Sequence, residues 1–155
     1  MKYLLTVLTA LILNTSASAA MSPRFYETEI LGNWVCKDTF LGYSAFEMIR
    51  YKKDGTWNSF GQLIVDFPIE ENTVKVSYSA LGTGVWQIEE QSLVSMIDYI
   101  EVINRNHPWI DEYFNMQDQF TLNDKKSEEI VVLSDDYLNL QPSTGKSYEC
   151  NKVEI

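Results

Sequence analysis

Residues able to do chemistry are scarce in this chain. One histidine and two cysteines in 155 residues fall short of the ligand set of a zinc site. His107 precedes Pro108 and has the chemistry of a general base. It has no neighbouring cysteine and no serine in a G-x-S-x-G turn, so capping a helix or facing solvent is its plainer role. Carboxyls are plentiful, and the pairs Glu70-Glu71, Glu89-Glu90 and Asp135-Asp136 invite an acid/base reading. Adjacent acids point to opposite faces of a strand and are solvated in turns, so they make poor catalytic pairs. Nothing matches the oxygen-ligand spacing of a calcium loop. With 12 Lys+Arg against 22 Asp+Glu and a formal charge of −10, the composition speaks against phosphate neutralisation and so against a nucleic-acid partner. No catalytic residue, metal site or cofactor is expected, and an enzyme is the third choice of class.

Other polar and aromatic residues suggest binding. Asp98 shares strand parity with Val94, Met96, Ile100 and Val102, which would bring a carboxyl into an apolar interior as a ligand-orienting group. The competing readings are an outward acid after a bulge and an acid satisfied by a buried tyrosine. Trp57, Tyr78, Trp86 and Tyr99 fall on successive strand candidates and could line the same cavity; core packing is the commoner fate of such residues. Pro108 opens a stretch in which Trp109, Ile110, Tyr113 and Phe114 recur at helical spacing with acids in the first turn, predicting a short helix near residues 108–116. Trp109, Tyr113 and Phe114 would then form a lid, a docking surface or a plug.

The elements that must position these groups read as strands. Val74 to Ala80 alternates apolar 74, 76, 78 and 80 with Lys75, Ser77 and Ser79, the pattern of a sheet with one wet face. Further candidates are 33–37, 45–51, 56–67, 85–89, 93–103, 119–122, 130–133, 137–141 and 147–153. Leu93, Met96, Ile97 and Ile100 also have helical spacing, but β-branched content favours a long strand. Lys53-Asp54-Gly55 signals a hairpin, Asp135-Asp136 and Glu89-Glu90-Gln91 tight reversals, and Gly82-Thr83-Gly84 a break between strands. Lys125-Lys126-Ser127-Glu128-Glu129 reads as a solvated loop. The whole is an antiparallel all-β domain with one short helix.

The first residues combine Lys2, an apolar run to Leu13 and Ala17-Ser18-Ala19-Ala20, the order of a secretory signal peptide. Residues 1–20 are expected to be removed, leaving 21–155 as one domain, periplasmic or secreted, with no stable membrane insertion. Loss of Lys2 and of no acid takes the charge from −10 to −11. Cys36 and Cys150 in an exported chain predict a disulfide, with two buried free thiols as the alternative.

Gly32-Asn33-Trp34 at the first strand, eight to ten short-connected strands and one interrupting helix resemble the lipocalin-like (calycin) β-barrel. Trp34-x-Cys36, Asp54-Gly55-Thr56, Gly82-x-Gly84-x-Trp86, His107-Pro108 and Tyr148-x-Cys150 also resemble small exported bacterial proteins with such a core. The resemblance spans nearly the whole mature chain and carries no catalytic residues. It implies that Trp34 plugs one barrel end and that the Cys36–Cys150 bridge staples the seam between first and last strands. The late arginine that stacks on this tryptophan in lipocalins is missing, since the only arginines are Arg24, Arg50 and Arg105.

Two functions of different class follow as expectations. The first is a non-enzymatic binding barrel for a small apolar or amphipathic ligand. The second is an acidic protein-interaction module, such as an immunity protein or inhibitor, that masks a basic exported partner.

Overall fold

A computed structural model describes residues 23–40 and 43–154; the expected signal segment lies outside them. Among the described residues one helix, α1 (Pro23–Ile30), precedes eight strands: β1 (Gly32–Phe40), β2 (Tyr43–Tyr51), β3 (Thr56–Ile69), β4 (Asn72–Glu89), β5 (Ser92–Asn104), β6 (Lys125–Leu133), β7 (Tyr137–Pro142) and β8 (Tyr148–Val153). Each strand pairs antiparallel with the next, and β8 pairs with β1, closing a barrel with the order of the sequence. Closure satisfies the first and last strands, which would otherwise offer free edges.

The turns show why the chain reverses where it does. Gly55 takes φ +78°, a left-handed conformation that a side chain resists. Beside it the Asp54 carboxylate accepts from the Thr56 amide and hydroxyl at 3.0 and 2.7 Å. The reversals at Glu70-Glu71 and Glu90-Gln91 leave their acids exposed, as solvated turn acids should be.

At the closed end, α1 lies against β4 and β6. Tyr26, Ile30, Trp34, Ile88, Leu93, Leu138 and the disulfide form a buried cluster there. Trp34 is fully buried, and its indole N–H donates to the Ile30 carbonyl at 2.7 Å. Lys152 lies over the same ring, its ammonium 5.0 Å from the centroid, and also donates to the Glu29 carbonyl at 2.8 Å. A lysine two residues past the second cysteine thus supplies the cation that the arginine count failed to find. Cys36 and Cys150 are direct partners across β1 and β8, with Cα atoms 4.0 Å apart and 114 residues between them, so the bridge does staple the seam.

Several expectations are corrected. Gly82 and Gly84 do not break a strand; β4 runs through them, because Trp57 of β3 lies against their backbone. A Cβ on Gly84 would stand 2.8 Å from the Trp57 ring and 2.0 Å from the Met96 carbonyl oxygen. The short helix near 108–116 is a 3₁₀ turn, Pro108–Glu112, followed by a second at Met116–Gln119. His107 stands at the start of the first without capping it through its side chain. Residues 119–122 form no strand, while 125–129 begin β6 and are not a loop. Pro23 opens α1.

Candidate functional site

Strand parity decides which side chains face inward, and the disulfide fixes that parity. Cys36 on β1 stands opposite Glu47 on β2, which stands opposite Gly61 on β3. The inward row of β2 is therefore Ala45, Glu47, Ile49 and Tyr51, and that of β3 is Trp57, Ser59, Gly61 and Leu63. These residues, with Ser95, Ile97 and Ile100 of β5, Lys126 and Glu128 of β6, Tyr148 of β8 and Phe120, line a cavity of about 300 Å³ inside the barrel.

Its walls are apolar with a small set of converging polar groups, the composition expected of a small-molecule site. Tyr148 donates its hydroxyl to Glu128 at 2.9 Å, and Ser59 hydrogen-bonds Glu47. Burial pushes the Glu47 carboxyl above the ordinary carboxylate range, and the Ser59 bond offsets only part of that. Glu128 is raised as well, first by burial, then by the charge on Glu47; the Tyr148 bond and Lys126 pull the other way. Burial likewise pushes the phenols of Tyr51 and Tyr148 well up, with both carboxyls adding to the effect. Glu47 and Glu128 stay half-buried because they border the empty volume instead of packed atoms. Tyr51 is only 6% exposed. Its ring packs edge-on against Trp86 with centroids 5.5 Å apart, yet its hydroxyl makes no hydrogen bond among the described residues.

Above the cavity the barrel wall is incomplete. β6 pairs with β5 only from Ser92 to Met96, so the upper half of β5 lacks a strand partner on that side. The Gln117 side chain takes the place of one: its amide donates to the Ile100 carbonyl at 2.7 Å and its oxygen accepts from the Val102 amide at 2.8 Å. Asn115 secures this turn by accepting from the Gln117 amide at 3.1 Å. The strap also brings Phe120 to the cavity wall.

Of the residues singled out in the sequence, Trp57 lines this cavity. Tyr78 is buried in a separate cluster with Val76, Ile110 and Met116 near the opposite barrel end. Trp86 belongs to the closed end, where its indole N–H donates to the carbonyls of Lys52 and Thr56, each at 3.1 Å. Asp98 and Tyr99 do not face inward. The β4–β5 register shifts at this point, with Thr83 opposite Tyr99 and Gly84 opposite Ile97. The bulge reverses parity and leaves both residues exposed. Trp109 and Tyr113 are exposed too, while Phe114 packs edge-on against Phe67, their centroids 5.2 Å apart. These three line a shallow apolar hollow with Phe67, Pro68, Ile69 and Ile110 at the end opposite α1, so they contribute no wall to the inner cavity.

Sequence reasoning missed Glu47, Glu128, Lys126, Tyr51 and Tyr148. A signal existed for Glu47: it shares parity with Ala45, Ile49 and Tyr51. Phe46 and Met48 on the other parity are equally apolar, which hid the inward face. For β6 the stretch Lys125 to Glu129 holds no apolar residue, so no alternation betrayed a strand.

A polar cleft of about 420 Å³ lies outside the barrel between α1 and the β2–β3 turn, lined by Glu27, Thr28, Lys53, Asp54 and neighbours. Its charged walls are exposed side chains without converging buried groups. Fold and cavity together define an all-β barrel with a partly open interior cavity carrying two carboxyls. No protein-family model matches the chain, and no curated protein matches it either.

Proposed function

We propose that this protein is an exported, lipocalin-like binding barrel that holds a small amphipathic molecule in its interior and performs no catalysis. The observation that carries the reading is the cavity, with Trp57, Ile49, Ile97, Ile100 and Phe120 as apolar wall and Glu47, Tyr51, Glu128 and Tyr148 as polar inner face. A closed antiparallel barrel of this size encloses about one small ligand. Export is supported by the Lys2, apolar run and small-residue order of residues 1–20, and by a disulfide that an oxidising compartment permits. Titration with an apolar fluorescent probe, paired with native mass spectrometry of gently purified protein, tests the reading. One probe bound per chain, displaced by co-purified or added small molecules, is the expected result. An absence of saturable binding would overturn it.

A second reading, an acidic module docking on a basic exported protein, draws on the outer wall. Met48, Phe60 and Leu81 are register partners across β2, β3 and β4, and each is more than a third exposed. Such a row on a strongly acidic protein suits a mixed apolar and electrostatic interface. Complex formation would then weaken steeply with salt and disappear in a Phe60→Ser variant.

A further inference from the structure

Resting on the binding reading above, we propose that the ligand class is a small amphipathic amine, with its ammonium between Glu47 and Glu128 and its apolar body against Trp57, Ile97, Ile100 and Phe120. The two carboxyls reach one cavity from different walls, Glu47 from β2 and Glu128 from β6. Each already has one hydroxyl donor, from Ser59 and Tyr148 respectively, and a carboxylate has room for further donors.

Tyr51 is the independent observation. The residue is more than nine-tenths buried, lines the cavity, and its hydroxyl makes no hydrogen bond among the described residues. An ammonium has three donors and no acceptor capacity, which matches an inner face of two carboxylate groups and a phenolic oxygen.

Charge points the same way. Two carboxyls and one lysine line the cavity, and Lys126 is exposed at its rim. The ionised site therefore carries one negative charge in excess, and one cationic head would balance it. An anionic ligand would meet two like charges. A neutral apolar one would bury both carboxyls further without a counter-charge, an expensive state. A divalent metal is a poor fit: calcium takes about 6–8 oxygens, and among the described residues no group of three His, Cys, Asp or Glu is placed to hold an ion. The indole of Trp57 adds an aromatic wall of the kind that attracts organic cations. A volume of about 300 Å³ sits at the low end of small-molecule sites, which limits the ligand to a single ring or short chain.

The test uses three probes that share a phenyl body and differ in the head: 2-phenylethylamine, 2-phenylethanol and phenylacetate, titrated calorimetrically into the wild-type protein. The amine should bind at least about tenfold tighter than the alcohol, with phenylacetate weakest, and Glu47→Gln should collapse the preference for amine over alcohol. Glu128→Gln provides a second variant should the first fail to fold. A wild-type pH series needs no variant. The titratable groups around Glu47 are Tyr51 on its own strand, Lys126 and Glu128 on β6 and Tyr148 on β8. Over the acid range the amine and both phenols keep their protonation, so amine affinity should fall as the two carboxyls protonate. Equal binding of amine and alcohol, tighter binding of phenylacetate, or an amine affinity indifferent to pH would each overturn the amine assignment. So would binding of the apolar fluorescent probe without the amine, and in all these cases the binding reading survives. Failure of every probe, the apolar one included, overturns both.

Discussion

At the end closed by α1, the two indoles and the lysine are satisfied within the protein: Trp34 donates to Ile30, Trp86 to Lys52 and Thr56, and Lys152 to Glu29 while lying over the indole. A few residues along the same strands, the interior departs from that economy. Tyr51 has a hydroxyl without a partner, Glu47 and Glu128 hold carboxyls that burial makes harder to ionise, and a side chain from a 3₁₀ turn fills the gap beside β5. A fully paired polar network rigidifies the structure around it, whereas one left incomplete lowers stability unless something else completes it. The closed end is thus the more completely paired of the two regions, and the proposed ligand would complete the other.

The sharpest way to break the comparison is at the seam. Reduction of Cys36–Cys150, or the paired serine variant, should cost about 4–5 kcal/mol by the chain-entropy model for a loop of about 100 residues. Denaturant unfolding with and without reductant measures it. A loss under about 1 kcal/mol would mean that β1–β8 pairing and Trp34 close the barrel unaided.

Gly84→Ala comes next. Its Cβ would collide with backbone at Met96 and with the Trp57 ring, and overpacking of that kind costs about 1–3 kcal/mol or more. Because Trp57 would be driven toward the cavity, probe binding should fall along with the melting temperature. Gln117→Ala should cost about 1–2 kcal/mol by leaving the Ile100 carbonyl and Val102 amide without a partner. Hydrogen exchange at Val102 should speed up while amides at Trp34 and Cys36 keep their protection; equal acceleration at both would erase the distinction between the regions.

Glu47→Gln should act in the opposite direction and more weakly, stabilising the empty barrel at neutral pH by on the order of 1 kcal/mol. The folded-state pKa of Glu47 lies above the ordinary 4.5, so the native state binds the extra proton. Its contribution to stability is fully present below pH 4.5 and is lost as pH rises through the raised folded value. The advantage of the glutamine variant should therefore vanish in acid and be greatest above the raised pKa. Melting temperatures of both proteins across that range check the sign, and a destabilised variant at neutral pH would show that the carboxylate is paired within the empty barrel after all.

The strands were legible where one face is wet. Val74 to Ala80 declared itself because Lys75 marks the outer face and Val76 and Tyr78 the inner. The disulfide was legible from the expected export and the cysteine count, and its place at the seam followed once the first and last strands were neighbours. The candidate site was legible only through Trp57. Asp98 is the outward acid after a bulge that stood beside its inward reading, because the register of β4 and β5 shifts there. The stretch before Ile130 looked solvated because its inward residues, Lys126 and Glu128, are themselves charged.

Alternation, turn residues and cysteine count are legible along the chain, so the residues alone predict an antiparallel all-β domain with a disulfide and a strongly acidic composition. Inwardness has no such local origin. It depends on pairings between strands far apart in sequence, on a single-residue bulge that flips every later side chain, and on the volume left once large residues have packed. Only tertiary closure could bring Glu47, Tyr51, Glu128 and Tyr148 to one cavity, and only burial there shifts their protonation away from that of ordinary surface groups.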